Sequence, residues 1–195
     1  NKIIFGSTIS IYGENYYRNE YYENSSKNPK SPYAITKLKA ENYLINNFPN
    51  NTWILRFSPC YSDYFLLNIN RRIKINNLYF QISKGEKKLS LCSIKNIRIV
   101  IESIIAKSIP HGVYNVSDKF SYKYADLIKW AKPRRIIYIP RFFIKFIYLI
   151  GIIIKNIFLK ENSIKLLTDN VYPSLKITKY VNIHNNLNGI LNNDK

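Results

Sequence analysis

The sequence predicts an α/β fold built on a parallel sheet, and three observations carry that prediction. Lys2–Phe5 and Trp53–Phe57 are short continuous apolar runs closed by small or turn-forming residues, Gly6-Ser7-Thr8 and Ser58-Pro59. That is the pattern of strands buried on both faces. Between them, Ser31-Pro32 opens a helical stretch. Strand, loop, helix, strand in this order is half of a doubly wound unit.

The elements follow along the chain. Glu14–Lys30 is polar and rich in Asn, Tyr and Ser, and reads as a long surface loop of the kind kept for function. Ser31 suits the N-cap and Pro32 the first helical position. The helix is expected to run to about Asn47, with Ala34, Leu38, Tyr43 and Leu44 on its buried face. Tyr61–Lys84 reads as irregular, with a basic centre at Arg71-Arg72. Lys88–Cys92 reads as a strand, Ile94–Lys107 as a helix and Gly112–Val116 as a strand. Tyr122–Ala131 is helical, Ile136–Ile139 a strand, and Pro140 starts a long apolar helix. The last thirty residues thin into Asn-rich sequence around a short helical stretch.

A length of 195 residues, with 46% hydrophobic and 15% aromatic content, suits a globular chain with a real core. The formal charge of +18 invites an anionic partner. Lysine outnumbers arginine 22 to 8 and is spread over the whole chain. No basic cluster or docking element of a nucleic-acid reader stands out, so no nucleic-acid partner is expected. A phosphorylated small substrate fits the charge. Cys60 and Cys92 form no metal pattern and no disulfide framework, and read as free thiols in buried strands of a reducing compartment. The N-terminus lacks the basic-then-apolar layout of a signal peptide, so a cytoplasmic location is expected. The run Phe142–Leu159 is broken by Lys145 and Lys155, with nine residues between them. That is too short to cross the hydrocarbon core. No transmembrane span is expected, and a buried or interface helix is favoured over one lying on a membrane surface. The chain opens on Asn1 and contains no methionine, which suggests a fragment.

The chemistry turns on a Tyr-x-x-x-Lys spacing, which occurs twice, at Tyr33/Lys37 and Tyr172/Lys176. With 17 tyrosines and 22 lysines, chance alone supplies such matches, so context must separate them. Tyr172 is followed by Pro173 and lacks an upstream strand ending in a hydroxyl; it reads as structural. Tyr33 lies in the first turn of a capped helix, with Lys37 one turn on along the same face. A strand ending in Thr8 precedes it. In a parallel sheet that strand end borders the ligand crevice, so Thr8 and Tyr33 should share it. A tyrosine does proton work near neutrality when positive charge beside it favours the phenolate. A threonine hydroxyl can hold the reacting oxygen.

These residues bring a family into view. Phe5-Gly6-Ser7-Thr8-Ile9-Ser10-Ile11-Tyr12-Gly13 resembles the S-S/T-x-x-V-Y-G segment of extended short-chain dehydrogenases/reductases. Asn28–Lys37 resembles their P-x-S-P-Y-x-x-S/T-K segment. Ile54-Leu55-Arg56-Phe57-Ser58-Pro59-Cys60-Tyr61 is similar to the L-R-x-x-x-V-Y strand, and Gly112–Ser117 to G-x-x-Y-N-V-G/S. The resemblance is to the NAD-dependent epimerase/dehydratase family and covers most of residues 1–120. It implies an incomplete Rossmann-like parallel sheet, the C-terminal half, with a smaller, mostly helical substrate-binding lobe. The sheet half would be 1–62 with 93–118 returning to it, and the lobe 63–92 with 119–195.

By motif, the resemblance gives Thr8 the substrate-orienting hydroxyl, Tyr33 the acid/base role, and Lys37 the nicotinamide ribose and the charge that favours the Tyr33 phenolate. Ser7 joins the cofactor wall, and the Pro59-Cys60 backbone should lie near the nicotinamide carboxamide. Asn68, Arg71 and Arg72 resemble the stretch that holds a nucleotide-sugar diphosphate, a task suited to the planar arginine fork; a solvated basic loop is the competing reading. The implied cofactor is NAD or NADP, and no metal is expected. The resemblance also implies a homodimer. Two departures narrow the reaction. Dehydratases of the family carry Asp-Glu after the threonine, where Ile9 and Ser10 stand here. Epimerisation or reduction at C4 of a nucleotide-linked sugar, for surface-polysaccharide or lipopolysaccharide synthesis, is left. The usual acidic residue near Ser93–Asn96 is also replaced. The phosphate-cradling G-x-x-G-x-x-G spacing does not occur among Gly6, Gly13, Gly85, Gly112, Gly151 and Gly189. The alternative is a non-catalytic remnant acting at most as an interaction module.

Overall fold

The computed structural model of the chain describes residues 1–13, 15–16 and 19–187. Parts of the expected loop (14, 17 and 18) and of the Asn-rich end (188–195) lie outside them. Strand β1 (Ile3–Thr8) runs into a 3-10 turn, Ile9–Tyr12. At Gly13 the backbone has φ of 66°, and a Cβ there would strike the Asn28 carbonyl oxygen. Only glycine lets the returning loop pass this close. The loop delivers Ser31, whose hydroxyl accepts from the Ala34 N–H (3.2 Å) and caps helix α1 (Pro32–Asn47).

Helix α1 buries Ala34 and Glu41 and leaves Leu38 and Leu44 half-buried. Tyr43, expected inside, is exposed and edges onto Phe48 at 6.5 Å. The reason is helical phase: nine residues from Ala34 is about two and a half turns, which puts Tyr43 on the opposite side. Strand β2 (Thr52–Phe57) pairs parallel with β1, Thr8 opposite Phe57. Next come β3 (Cys60–Tyr61), α2 (Leu67–Ile73) and a hairpin of β4 (Lys74–Ile75) and β5 (Leu78–Ile82). The stretch 61–84 is therefore largely structured rather than irregular. Its elements are too short for periodicity to show, and the turn rests on Asn76 at φ of 52°, which asparagine tolerates better than most residues.

The expected strand 88–92 is two pieces with different partners. β6 (Lys88–Leu89) pairs antiparallel with β9 (Tyr122–Lys123), and β7 (Cys92–Ser93) pairs parallel with β3. Helix α3 (Ile94–Ile105), capped by Ser93, buries Asn96, Val100 and Ile104 along one stripe. Strand β8 (Gly112–Val116) then returns to β2, completing the parallel order β1-β2-β8. Trp53, Leu55, Val100, Ile104, Tyr114 and Val116 form the core between this sheet and α3.

Helix α4 (Tyr124–Ala131) starts two residues later than expected, after β9. Strand β10 (Ile136–Ile139) joins β5 in parallel. The apolar run after Pro140 is two helices, α5 (Arg141–Ile153) and α6 (Ile157–Leu167). They break where Lys155 turns left-handed (φ of 55°) and Asn156 caps α6 by accepting from the Leu159 N–H (3.0 Å). A Cβ at Gly151 would sit 2.9 Å from the Lys160 backbone nitrogen, so glycine permits the close crossing of α5 on α6. Helix α5 is not buried: of its residues only Ile144 and Gly151 are. No helix among the described residues is long and apolar enough to cross a membrane.

Candidate active site

A cavity of about 760 Å³ opens at the C-terminal ends of β1 and β2, where open parallel sheets hold ligands. Its wall includes Ser7, Thr8, Tyr33, Pro59, Cys60, Asn68, Arg71 and Arg72. These residues come from four separate segments. Thr8 ends β1, and its hydroxyl accepts from the Ser10 N–H and donates to Ser10 Oγ, both at 3.2 Å. Tyr33 is exposed, 58% of its surface being open. Lys37 stands apart from the wall. Its ammonium donates to the Gly6 carbonyl (2.8 Å) and lies 6.0 Å from the Tyr33 ring centroid. The Asn68 amide donates to the Cys60 carbonyl (2.8 Å), tying α2 to β3. Arg71 is exposed, and Arg72 reaches toward the Tyr124 hydroxyl (3.5 Å). Tyr172, of the second Tyr-x-x-x-Lys match, is outside any helix and stacks on Tyr21 at 5.3 Å and Tyr12 at 5.9 Å.

Beneath the wall lies a polar network absent from the sequence reading. Arg56 of β2 grips Glu41 of α1 with Nε at 3.1 and 3.2 Å and Nη2 at 2.7 Å, both side chains being almost fully buried. Arg56 also donates to the Tyr12 hydroxyl (2.9 Å) and the Glu23 carbonyl (3.0 Å). Ser7 donates to Glu41 (2.5 Å), and Tyr12 to Asn115 Oδ1 (2.6 Å). Burial opposes the charge of Arg56, but the hydrogen bonds and attraction from Glu41 and Tyr12 outweigh it and hold its pKa above the ordinary value. Burial, before any other cause, pushes the Tyr12 phenol up. The network fixes α1, and so Tyr33, against both strands. Its sequence signal was Arg56 inside a buried strand, paired with a carboxylate seven residues after Ala34 on the same helix stripe.

A second node sits behind Cys60. Asp118 accepts from Tyr61 (2.6 Å), Tyr122 (2.8 Å), the Ser93 N–H (2.8 Å) and Asn96 Nδ2 (2.8 Å). Burial raises its carboxyl pKa, and these donors only partly offset the shift. Burial likewise pushes the Tyr61 and Tyr122 phenols up. Asn96, at the segment where the resemblance expects an acid, thus binds a carboxylate supplied by Asp118. Cys60 and Cys92 are free and face each other across β3 and β7. Cys92 is buried, but Cys60 is only half-buried because it borders the cavity. Hydrogen bonding from Cys92 draws the Cys60 thiol down, and the same contact, with burial, pushes Cys92 up.

The wall also carries residues that the sequence did not flag: Ser10, Ser58, Ser90, Asn162 and Asn170. Ser10 and Ser58 fall within the motif segments but had no site role assigned, while Ser90, Asn162 and Asn170 come from distant segments and have no motif. The Ser58 hydroxyl is buried with no hydrogen-bond partner among the described residues. An orphan buried hydroxyl on a cavity wall calls for a ligand atom. With Ser7, Tyr33 and the Pro59-Cys60 strand end beside it, the site fits the nicotinamide end of a dinucleotide. No metal-holding group of three or more His, Cys, Asp or Glu occurs among the described residues.

Comparison with known proteins agrees with this architecture. The family model described as NAD dependent epimerase/dehydratase family matches residues 1–98. No curated protein matches the sequence. Among solved structures, the UDP-Glc/GlcNAc 4-epimerase from Campylobacter jejuni is similar with a TM-score of 0.70 at 18% identity, over 98% of this chain and 62% of that one. ADP-L-glycero-D-manno-heptose-6-epimerase from Helicobacter pylori gives 0.67 at 15%, over 98% and 58%. UDP-glucuronic acid 4-epimerase from Bacillus cereus, in complex with NAD, gives 0.55 at 22%, over 72% and 49%. At these identities the likeness speaks for the fold, a Rossmann-like α/β one. The chain spans about half to three-fifths of the length of these structures.

Proposed function

Since the chain belongs to the NAD dependent epimerase/dehydratase family, we propose that its protein carries out NAD(P)-dependent epimerisation or reduction at C4 of a nucleotide-linked sugar, with Tyr33 as acid/base. The observation that carries the reading is the shared cavity wall: Thr8, Tyr33, the Pro59-Cys60 strand end and Arg71-Arg72 converge on one space. The 4-epimerases among the similar structures support the choice of carbon. Ile9 and Ser10 in place of a carboxylate pair speak against dehydration.

A bound nicotinamide dinucleotide supplies the acceptor or donor of hydride. Ser7, Ser58, Tyr33, Lys37 and the Pro59-Cys60 backbone would hold its nicotinamide end. Tyr33 takes the proton from the C4 hydroxyl as the sugar is oxidised and returns it on reduction. Thr8, released from Ser10, holds that oxygen by a hydrogen bond. Lys37 places its ammonium one helical turn from Tyr33, 6.0 Å from the ring centroid. Arg71 and Arg72 pair with diphosphate oxygens, and Asn68 keeps α2 in place for them. An epimerase completes both halves of this cycle; a reductase runs the second alone. The proposal extends to the homodimer, the cytoplasmic location, the sheet half at 1–62 and 93–118, and the substrate lobe at 63–92 and 119–195.

The test is Tyr33→Phe in the full-length protein, assayed on UDP- and dTDP-linked hexoses. Turnover is expected to fall by about a hundredfold or more, with the melting temperature unchanged because Tyr33 is exposed. Undiminished turnover refutes the assignment.

A further inference from the structure

Helix α5 turns a narrow face inward and leaves a broad apolar one outside. Ile144 and Gly151 are buried and Ile147 and Tyr148 half-buried, all on one side against α6. On the other side Phe142, Phe146, Leu149 and Ile153 are 65%, 60%, 54% and 78% exposed. Their spacing of four, three and four residues puts them on one stripe about 60° wide. Phe143 and Ile152 flank it, also exposed. A contiguous exposed apolar surface of this kind marks an interaction site.

The charge around the helix decides what it meets. Between Asp126 and Glu161 the sequence holds five lysines, three arginines and no carboxylate. Lys145 is exposed beside the stripe and Lys155 just beyond its end. Arg134 and Arg135, before β10, are exposed as well. A second copy laid on this face would bring like charges together, which opposes self-association. The whole chain, at +18, repeats the sign. An apolar stripe flanked along its own segment by cations is complementary to an anionic bilayer: the aromatic and aliphatic side chains enter the acyl boundary, and the lysine stems reach back to the headgroups. A helix of 13 residues is about 20 Å long, too short to span, and so lies in the membrane plane.

We propose that the outer face of α5 docks the protein peripherally on anionic membrane surfaces. The inference stands apart from the catalytic reading, because none of the stripe residues lines the cavity.

The experiment is vesicle flotation of the full-length protein with phosphatidylcholine vesicles containing about 30% phosphatidylglycerol, against pure phosphatidylcholine. The parent is expected to float with the anionic vesicles, to remain behind with the neutral ones, and to dissociate as salt rises. Phe146→Ser/Leu149→Ser should weaken partitioning by about tenfold or more. Lys145→Glu/Lys155→Glu should do the same, with unchanged circular dichroism in both. Tyr33→Phe should float like the parent, which keeps failure of the catalytic assignment separate. Equal binding to both vesicle types, absence of binding, or variants that float like the parent would each overturn the proposal. So would a dimer abolished by Phe146→Ser/Leu149→Ser in a protein that ignores vesicles, since a second copy would then cover the face.

Discussion

The Glu41–Arg56 pair offers the sharpest test of how the site is held. Glu41→Ala removes the one carboxylate among the described residues that Arg56 contacts and leaves a guanidinium with 1% side-chain exposure without that counter-charge. Ser7 loses its acceptor at the same time. The Arg56 contacts to the Tyr12 hydroxyl and Glu23 carbonyl remain, but neither carries a full negative charge at neutral pH. Breaking such a buried pair from one side costs about 3–5 kcal/mol. For a chain of this size each kcal/mol moves the melting temperature by about 2–4 °C, so the expected fall is roughly 6–20 °C. Arg56→Met should cost a similar amount, by stranding the Glu41 carboxylate. Glu41→Ala/Arg56→Met removes both charges and should cost well under the sum, with a coupling of about 2 kcal/mol or more. The assay is a double-mutant cycle from urea unfolding, followed by circular dichroism. Single losses below about 1 kcal/mol, or strictly additive losses, would refute the reasoning, because the pair would then be behaving like an exposed one.

Two further predictions come from the second polar node and the thiols. Asp118 has its carboxyl pKa raised by burial, so the folded state binds its proton more readily than the unfolded state. Its contribution to stability is then greatest below the unfolded value and is lost as pH rises through the folded one. Urea midpoints of the parent relative to Asp118→Asn should therefore improve as pH falls from neutrality through the carboxylate range; a relative decline on acidification contradicts the assignment. Cys60 borders the cavity with its thiol drawn down, while Cys92 is buried with its thiol pushed up. Iodoacetamide should modify Cys60 in the native protein and reach Cys92 only on unfolding, as read by mass spectrometry; equal labelling of both would show that β3 and β7 do not shield Cys92.

The sequence carried the parts of the fold that depend on local chemistry. Ser31 and Pro32 announced α1 because a cap and a fixed φ act within four residues. The apolar runs at 2–5 and 53–57 announced the two strands, but only β2, in the middle of the order β1-β2-β8, is buried from Thr52 to Arg56; Ile3, Ile4 and Phe5 of β1 are half-buried at the edge of that sheet. What stayed hidden depends on distant partners. The run 88–92 divides because Lys88-Leu89 and Cys92-Ser93 find different neighbours, and no local signal distinguishes them. The long apolar run after Pro140 read as one buried or interface helix because hydrophobicity alone does not reveal how much of a surface a protein covers. Lys155 and Asn156 broke it, and the outward phase of Phe142, Phe146 and Leu149 became visible only with α6 in place.

The same distinction explains the site. Thr8, Tyr33 and Lys37 were legible as a motif, but a motif does not say what keeps a tyrosine in place on an exposed helical turn. Helix α1 buries little apolar surface, since Ala34 and Glu41 are its only buried residues, so apolar packing cannot be its main anchor. Its N-terminus is held by the Ser31 cap, and its second half by the Glu41 carboxylate clamped between Ser7 and Arg56. Glu41 lies eight residues after Tyr33, a little over two turns along the helix. Loss of the clamp should therefore loosen the register of the Tyr33 turn against Thr8 even where the fold survives. In Glu41→Gln, which keeps the shape and an acceptor oxygen, turnover should fall more steeply than stability. If turnover and stability instead fall in parallel across Glu41→Gln and Glu41→Ala, the clamp serves the fold alone and Tyr33 is positioned by its cap.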